Sequence, residues 1–588
     1  MNKGFRDIIS LRKIRAVGIP VLVRILCLLF ILLSLIQVAC AQDIEQVINA
    51  KKIGVSGSIS ANNVNYSAIG IKRNREAHTF YVTGSLNLSL FEQWSLPLNF
   101  TYSNQDVELS HGVSFNQIGI SPAYKWVKLH AGYSSMSFSP YSLSGHSFLG
   151  VGLELTPPTR LSASLMIGRL RKAEEPVDTE KETLFSYKRM GYGLKLNYKD
   201  NGDDMSIIVF GAKDDQNSVK LIPDNTEITP MENLVLGVNI RKNLFSKIFV
   251  GVEYTNSMLT RDKRLGNRGE KNDGIFKLTG GIMNANSSSS VYTALKTDVS
   301  YQSQDFSVSM LYERVDPDYQ TLGAYYFTND MENISFTTAK QFFKGHLNIS
   351  ANAGLQRNDL KNEKKSRMNN VVGAVNIGIQ TGAKTNLNLS YSNYSSFTNI
   401  RSDFEDINEV NQQQVYDTLD FTQVSQNMSL TLSQVLGDVK NANARQNLNV
   451  NLNVQMASEK QEGQNKKPGN KFYSTGITHS VSWKTNGLSL SSSINGNYND
   501  MESGDALTLG PTLSLSKRFQ KKLRSSVSGS WNRSYQNGDF ANRIYVIRCN
   551  NSYALKKHSF TLSMNYMNRH EEKKYAEFTL SMGYNYSF

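Results

Sequence analysis

The side chains best suited to move a proton near neutral pH are the eight histidines: His78, His111, His130, His146, His346, His479, His558 and His570. They are scattered, and no pair has the H-x-x-x-H or H-E-x-x-H spacing that grips zinc from one face of a helix. Gly145-His146-Ser147-Phe148-Leu149-Gly150 approaches G-x-S-x-G, but its second glycine falls one residue late. It also lacks the strand-to-helix elbow that exposes such a nucleophile. No G-x-x-x-x-G-K-[ST] stretch cradles a phosphate. Residues 401–420 hold Asp403, Glu405, Asp406, Glu409, Asp417 and Asp420 against Arg401 alone. Carboxylates at that density can hold Ca²⁺, yet the spacing is not that of an EF-hand, and the stretch reads as a solvated charged loop. The sequence therefore predicts no catalytic, cofactor or metal site, and no enzyme.

The elements that would have to carry any function are set by the compartment. The 64 Lys and Arg outnumber the 50 Asp and Glu. Six of those bases (Lys3, Arg6, Arg12, Lys13, Arg15 and Arg24) sit in residues 1–41 beside the single acid Asp7. The remaining excess is too small and too spread to form a nucleic-acid footprint. After the basic stretch, Ile25–Ile36 is an apolar run, and Ala39-Cys40-Ala41 supplies the small residues of an A-x-A cleavage site. Residues 1–41 read as a signal peptide cut after Ala41. The run is shorter than the roughly 20 residues that span a bilayer. Cleavage and lipidation at Cys40 is the alternative, although Gln37 stands where that motif usually has leucine. Only Cys549 follows, so no disulfide scaffold exists.

Beyond Ala41 the dominant period is two. Leu448, Val450, Leu452, Val454 and Met456 alternate with Asn447, Asn449, Asn451, Asn453 and Gln455. Val82, Gly84, Leu86, Leu88 and Leu90 alternate with Thr83, Ser85, Asn87 and Ser89. Successive strand side chains point to opposite sides, so each segment is a strand with one apolar and one polar face. Such segments run roughly 11–15 residues, against about 5–6 in a globular sheet, and suit a tilted bilayer-crossing strand. Connections sort into tight turns, such as Asp200-Asn201-Gly202 and Phe519-Gln520-Lys521-Lys522, and long polar stretches at 174–187, 216–230, 261–292, 398–420 and 459–471. Short turns at one end and long loops at the other are a membrane-barrel pattern.

The fold expected is all-β: a single transmembrane antiparallel barrel of about 26 strands, within a range of 22–28, occupying 62–588. Residues 42–61 are a short N-terminal segment or the start of the first strand. Trp94, Trp126, Trp483 and Trp531 fall near expected strand ends, where amphipathic rings anchor at headgroup depth.

The last strand places Phe578, Leu580, Met582, Tyr584, Tyr586 and the terminal Phe588 on one face. Here the chain resembles the integral outer-membrane barrels of Gram-negative bacteria, whose final strand ends in an aromatic residue. Pro97–Leu155 is also similar to large barrels of Bacteroidota. The resemblance implies short periplasmic turns, long extracellular loops and both mature termini in the periplasm. It implies contact with outer-membrane lipid and lipopolysaccharide, whose phosphates the 401–420 carboxylates could bridge through divalent ions. It also implies that Tyr584, Tyr586 and Phe588 are the signal read by the barrel-assembly machinery. The segment 42–64 is too short for the plug domain of an energy-coupled receptor. The function expected is a channel or translocation conduit for solutes or a polymer; the alternative is an envelope scaffold working with a partner protein.

Strands about 4.8 Å apart and tilted about 40° give about 26 of them a diameter near 50 Å. A hole that wide would leak, so something must narrow it: a flattened barrel, a plug or periplasmic partner, or inward loops. The loops expected to do so are 261–292, through Asn284, Asn286 and Ser287–Ser290, and 398–420, through Asp403, Glu405 and Asp406. Replacing Phe588 with Ala, or deleting Tyr586–Phe588, should lower the amount of heat-modifiable barrel in outer-membrane fractions. Unchanged levels on a gel run with and without boiling would remove the assembly role.

Overall fold

Alternating apolar and polar side chains need a partner strand for every backbone N–H and C=O, and this chain supplies one on both sides of each strand. The computed structural model describes residues 53–588 except 74, 92, 105–116, 177–184, 221, 223–227, 267–281, 284, 326–327, 363–368, 394–422, 438–442, 462–463, 466–469, 502–503, 521 and 571–573. The leader with Ala39, Cys40 and Ala41 lies outside the described residues, as do Asn284, Asp403, Glu405 and Asp406. Two units divide the chain, Met1–Ile53 and Gly54–Phe588, and the second is one continuous sheet.

Its strands in order begin with β1 (Ile53–Ile69), β2 (His78–Leu90), β3 (Trp94–Ser103) and an interrupted β4 (Gln117–Ile120 and Ala123–Tyr124). Then come β5 (Val127–Ser135), β6 (Ser147–Leu155), β7 (Leu161–Arg171), β8 (Lys188–Asp200) and β9 (Asp203–Asp215). They are followed by β10 (Glu232–Leu244), β11 (Ile248–Thr260), β12 (Ser289–Gln302), β13 (Phe306–Val315) and β14 (Met331–Phe342). Next are β15 (Leu347–Arg357), β16 (Asn369–Thr381), β17 (Thr385–Ser392), β18 (Gln423–Leu436) and β19 (Ala444–Gln461). The set ends with β20 (Lys471–Trp483), β21 (Leu488–Met501), β22 (Gly504–Phe519), β23 (Leu523–Gln536), β24 (Asp539–Leu555), β25 (His558–His570) and β26 (Tyr575–Ser587). The short Gln464–Asn465 pair only extends the tip of β19.

Each strand pairs antiparallel with its chain neighbours, and β1 pairs with β26 from Ser58–Ser587 to Ile69–Ala576, closing a 26-strand barrel. No strand in this ring is an edge. β1 starts at Ile53 instead of 62, so most of 53–61 belongs to the wall. β24 starts at Asp539 because Asn537-Gly538, both at positive φ, close a two-residue turn, the backbone that matches strand twist. Asn201-Gly202 does the same at the other end of the barrel. Two prolines punctuate the ladders. Pro122 marks the interruption of β4, and the β22–β23 ladder loses its rungs between Leu509–Arg533 and Thr512–Ser530, around Pro511, without a change of register.

The outward set is apolar and exposed. Ile477, Ile494, Leu513 and Ile547 are 51, 67, 56 and 52 % accessible, and Ile477 stands directly opposite Ile494. An apolar belt exposed on that scale matches the hydrocarbon-facing band of a membrane barrel. Trp94 at the start of β3 stacks on Tyr124 at 4.4 Å, and Trp483 ends β20. Trp531 corrects the sequence reading: it lies within β23, not at its end, under the Arg533 guanidinium at 4.7 Å. A charge at the centre of the outer face should cost about 2–4 kcal/mol. Ile494→Arg should therefore reduce folding into lipid vesicles, while Ser493→Arg, one step along and facing the lumen, should leave it nearly intact. Equal folded fractions for the two variants would reject this assignment of faces.

Candidate constriction inside the barrel

Among the described residues, the inner wall of β6–β13 carries a cover of apolar loop side chains. Phe148, Met166, Leu170, Ile208, Phe210, Val235 and Leu259 point inward and are almost fully buried. Their cover comes from two loops, 136–146 between β5 and β6 and 316–330 between β13 and β14. These contribute Met136, Phe138, Tyr141, Leu143, Tyr319 and Leu322 to one apolar cluster. Burying that surface is the main drive holding the loops in place.

Each loop is folded by its own turn chemistry. In the first, the Ser142 N–H donates to the Ser139 carbonyl at 3.2 Å, and the Phe138 N–H to the Leu143 carbonyl at 2.8 Å. In the second, Pro317 presets the turn from Asp316 to Tyr319, where the Tyr319 N–H reaches the Asp316 carbonyl at 3.2 Å. The Asp330 N–H donates to the same carbonyl and closes the loop base.

The loops then bind one another. The Tyr319 hydroxyl donates to the Tyr141 carbonyl at 2.7 Å, the Thr321 hydroxyl to the Ser142 carbonyl at 2.7 Å, and the Ser144 N–H to the Gly323 carbonyl at 3.0 Å. A Cβ on Gly323 would meet the Ser142 carbonyl at 2.6 Å, so this approach requires glycine. The rings of His146 and Tyr325 stack at 3.9 Å.

Wall side chains complete the hold. Lys195 on β8 donates to the Phe138 carbonyl at 2.8 Å, and Ser257 on β11 to the Gln320 carbonyl at 2.6 Å. Asn233 on β10 accepts from the Leu322 N–H at 3.1 Å and donates to Ser257 and to the Met258 carbonyl. Tyr141 donates to Glu313 on β13. Burial, reinforced by that carboxylate, pushes the Tyr141 phenol well above its ordinary range, so it stays a protonated donor. At the loop end of β9, the buried Asp214 accepts two bonds from Arg189, at 2.7 and 2.9 Å, and one from the Met231 N–H. Arg171 adds a third cationic contact at 3.4 Å.

Two loops that the sequence did not single out thus enter the lumen, while 398–420, with Asp403, Glu405 and Asp406, lies outside the described residues. In 261–292, Asn286 and Ser289 are buried rather than lining a wet lumen. The Asn286 amide donates to the Asp262 and Leu265 carbonyls, and Ser289 bonds Thr260. The signal that could have pointed to 136–146 and 316–330 was their apolar content, Phe138, Tyr141, Leu143, Tyr319 and Leu322, in stretches without strand period.

One chemical grouping forms between neighbouring strands β4, β5 and β6. Ser121 and His130 Nδ1 lie 2.9 Å apart, and His130 Nε2 meets Glu154 at 2.5 Å. His130 is 5 % exposed, Lys128 neutralises Glu154, and the trio packs where β4 is interrupted. Among the described residues no cluster of His, Cys, Asp and Glu could hold a metal ion. Tyr584, Tyr586 and Met582 face outward on β26 as the sequence placed them, with the Tyr586 and Phe588 rings 5.4 Å apart.

No protein-family model matches the chain, and no curated protein matches it. Among solved structures it is similar to the P pilus usher (PapC) translocation pore, at 11 % identity and a TM-score of 0.40. That match covers 91 % of this chain and all of the usher chain. Similarity to the copper transporter OprC is at 10 % identity and 0.37, covering 92 % of this chain and 82 % of that one. For OccAB2 of Acinetobacter baumannii the figures are 6 % and 0.28, over 66 and 97 %. Likeness at this level assigns the chain no activity.

Removing the Asn233 amide would leave the Leu322 N–H buried and unpaired, at a cost of about 1–3 kcal/mol. Asn233→Ala should therefore make the 316–330 loop cleavable by added protease while the barrel stays heat-modifiable. Wild-type resistance in that variant would mean that the loop is held by apolar packing alone.

Proposed function

We propose that this protein is an integral outer-membrane barrel acting as a channel or translocation conduit whose lumen is narrowed from one side by its own loops. The observation that carries this reading is an asymmetry of cover. Inward positions of β6–β13 lie beneath the 136–146 and 316–330 loops, whereas Asn376, Asn386, Asn388, Asn451 and Asn453 on β16–β19 are exposed. Among the described residues nothing packs over that polar arc. A ring of 26 strands implies a diameter near 50 Å, and a half-filled lumen of that size leaves room for a solute or an extended polymer. A barrel serving only as an anchor has no need for a wet inner arc.

On this reading both mature termini lie on the periplasmic side with the tight turns, and the longer connections, including the two plugging loops, enter from the cell surface. The outer belt contacts membrane lipid and lipopolysaccharide, and the final strand meets the assembly machinery through Tyr584, Tyr586 and Phe588.

Single-channel recording from the purified chain tests the proposal. The wild type should give a steady ion current. Replacing 318–325 with two glycines should raise the unit conductance several-fold, because the cover is withdrawn from the inner wall. Deleting 402–419 should change the current only if that segment also narrows the lumen. No current from the wild type or from either variant would replace the conduit with an envelope scaffold.

A further inference from the structure

We infer that the open arc of the lumen passes neutral, polyhydroxylated solutes, that is, uncharged glycans. This inference rests on the conduit reading and adds the class of cargo.

The two arcs of the inner wall differ in charge. Inward positions on β5–β13 carry Lys128, Glu154, Lys195, Asp214, Glu253, Lys296 and Glu313, among other charges. Several are already paired, Lys128 with Glu154 and Arg189 with Asp214, or engaged by the plug loops, as Lys195 and Glu313 are. From β15 to β23 the register puts Asn, Ser, Thr, Gln, Gly and Ala inward at almost every described position. Among the described side chains the charged exceptions are Arg445, Arg518 and Arg524, all at the ends of strands. Scattered apolar exceptions such as Val372 and Val435 are buried in the wall.

Three consequences follow from this chemistry. Charged side chains lining a pore favour cations over anions or the reverse, and along the middle of its strands this arc carries none among the described side chains. Apolar cargo finds no continuous apolar track to replace the water it would shed. A hydroxyl-rich solute meets a donor or acceptor at each inward step, about every 6.6 Å along a strand and about 4.8 Å across. Many of these groups already bond laterally: Asn352 to Thr337 at 2.6 Å, Ser390 to Ser429 at 2.6 Å, Ser482 to Ser489 at 3.0 Å. Each keeps further donor or acceptor capacity, so contacts with a glycan are numerous and individually weak, which favours passage over retention.

The test uses the full-length barrel in planar bilayers and proteoliposomes. With KCl, permeabilities to K⁺ and Cl⁻ should be nearly equal. Maltohexaose should enter in a liposome-swelling assay. Asn451→Asp with Asn453→Asp should make the channel several-fold more permeable to K⁺ than to Cl⁻ and slow an anionic hexuronate oligomer, leaving maltohexaose entry unchanged. Strong ion selectivity in the unaltered barrel would overturn the inference while leaving a conduit in place. So would entry of an extended neutral peptide with exclusion of maltohexaose. Absence of any current would overturn both readings together.

Discussion

Closure of the sheet is the constraint on which the rest of this molecule depends. In hydrocarbon a backbone N–H or C=O has no water to turn to, and each one left unpaired costs several kcal/mol. The β1–β26 ladder, from Ser58–Ser587 to Ile69–Ala576, removes the two edges that an open sheet of this size would present. Closure in turn makes every strand two-faced, since one side of each residue pair meets lipid and the other the lumen. It also explains how only 39 % hydrophobic residues suffice, because half of each strand never touches lipid.

A closed ring of 26 strands creates the second problem, an interior too wide for side chains to fill. Two loops solve it on one side by making a small soluble-type core against the inner wall. Phe210, Leu259, Tyr319 and Leu322 are buried as deeply as in a globular domain, although they lie inside a barrel. The opposite side keeps a polar, exposed surface. The working character of the protein follows from that division: a packed, charge-paired arc that holds the loops, and a neutral arc left to water and solute.

Much of this was legible in the sequence. A period of two over long segments fixes strands and their faces without knowledge of partners. Turn chemistry such as Asn201-Gly202 fixes where they reverse. Long strands with sorted connections then leave a closed barrel of about 26 strands, because register between sequence neighbours is a local matter. Faces such as that of Met582, Tyr584 and Tyr586 follow directly. Smaller deviations arose where the turn was too short to notice, as at Asn537-Gly538, or where proline interrupted a strand without ending it, as at Pro122.

Tertiary structure alone decided which loops enter the lumen. Length and polarity favoured 261–292 and 398–420, the latter outside the described residues, whereas 136–146 and 316–330 are held by apolar contact between residues far apart in sequence. Tyr141 and Tyr319, or Leu322 and Asn233, meet only once β5–β14 have assembled into one curved wall. The same holds for the contrast between a charged arc and a neutral one. The alternation in each strand determines that a residue faces inward. Whether it then meets a loop, another charge or open water depends on what lies across the barrel, and that information is not local.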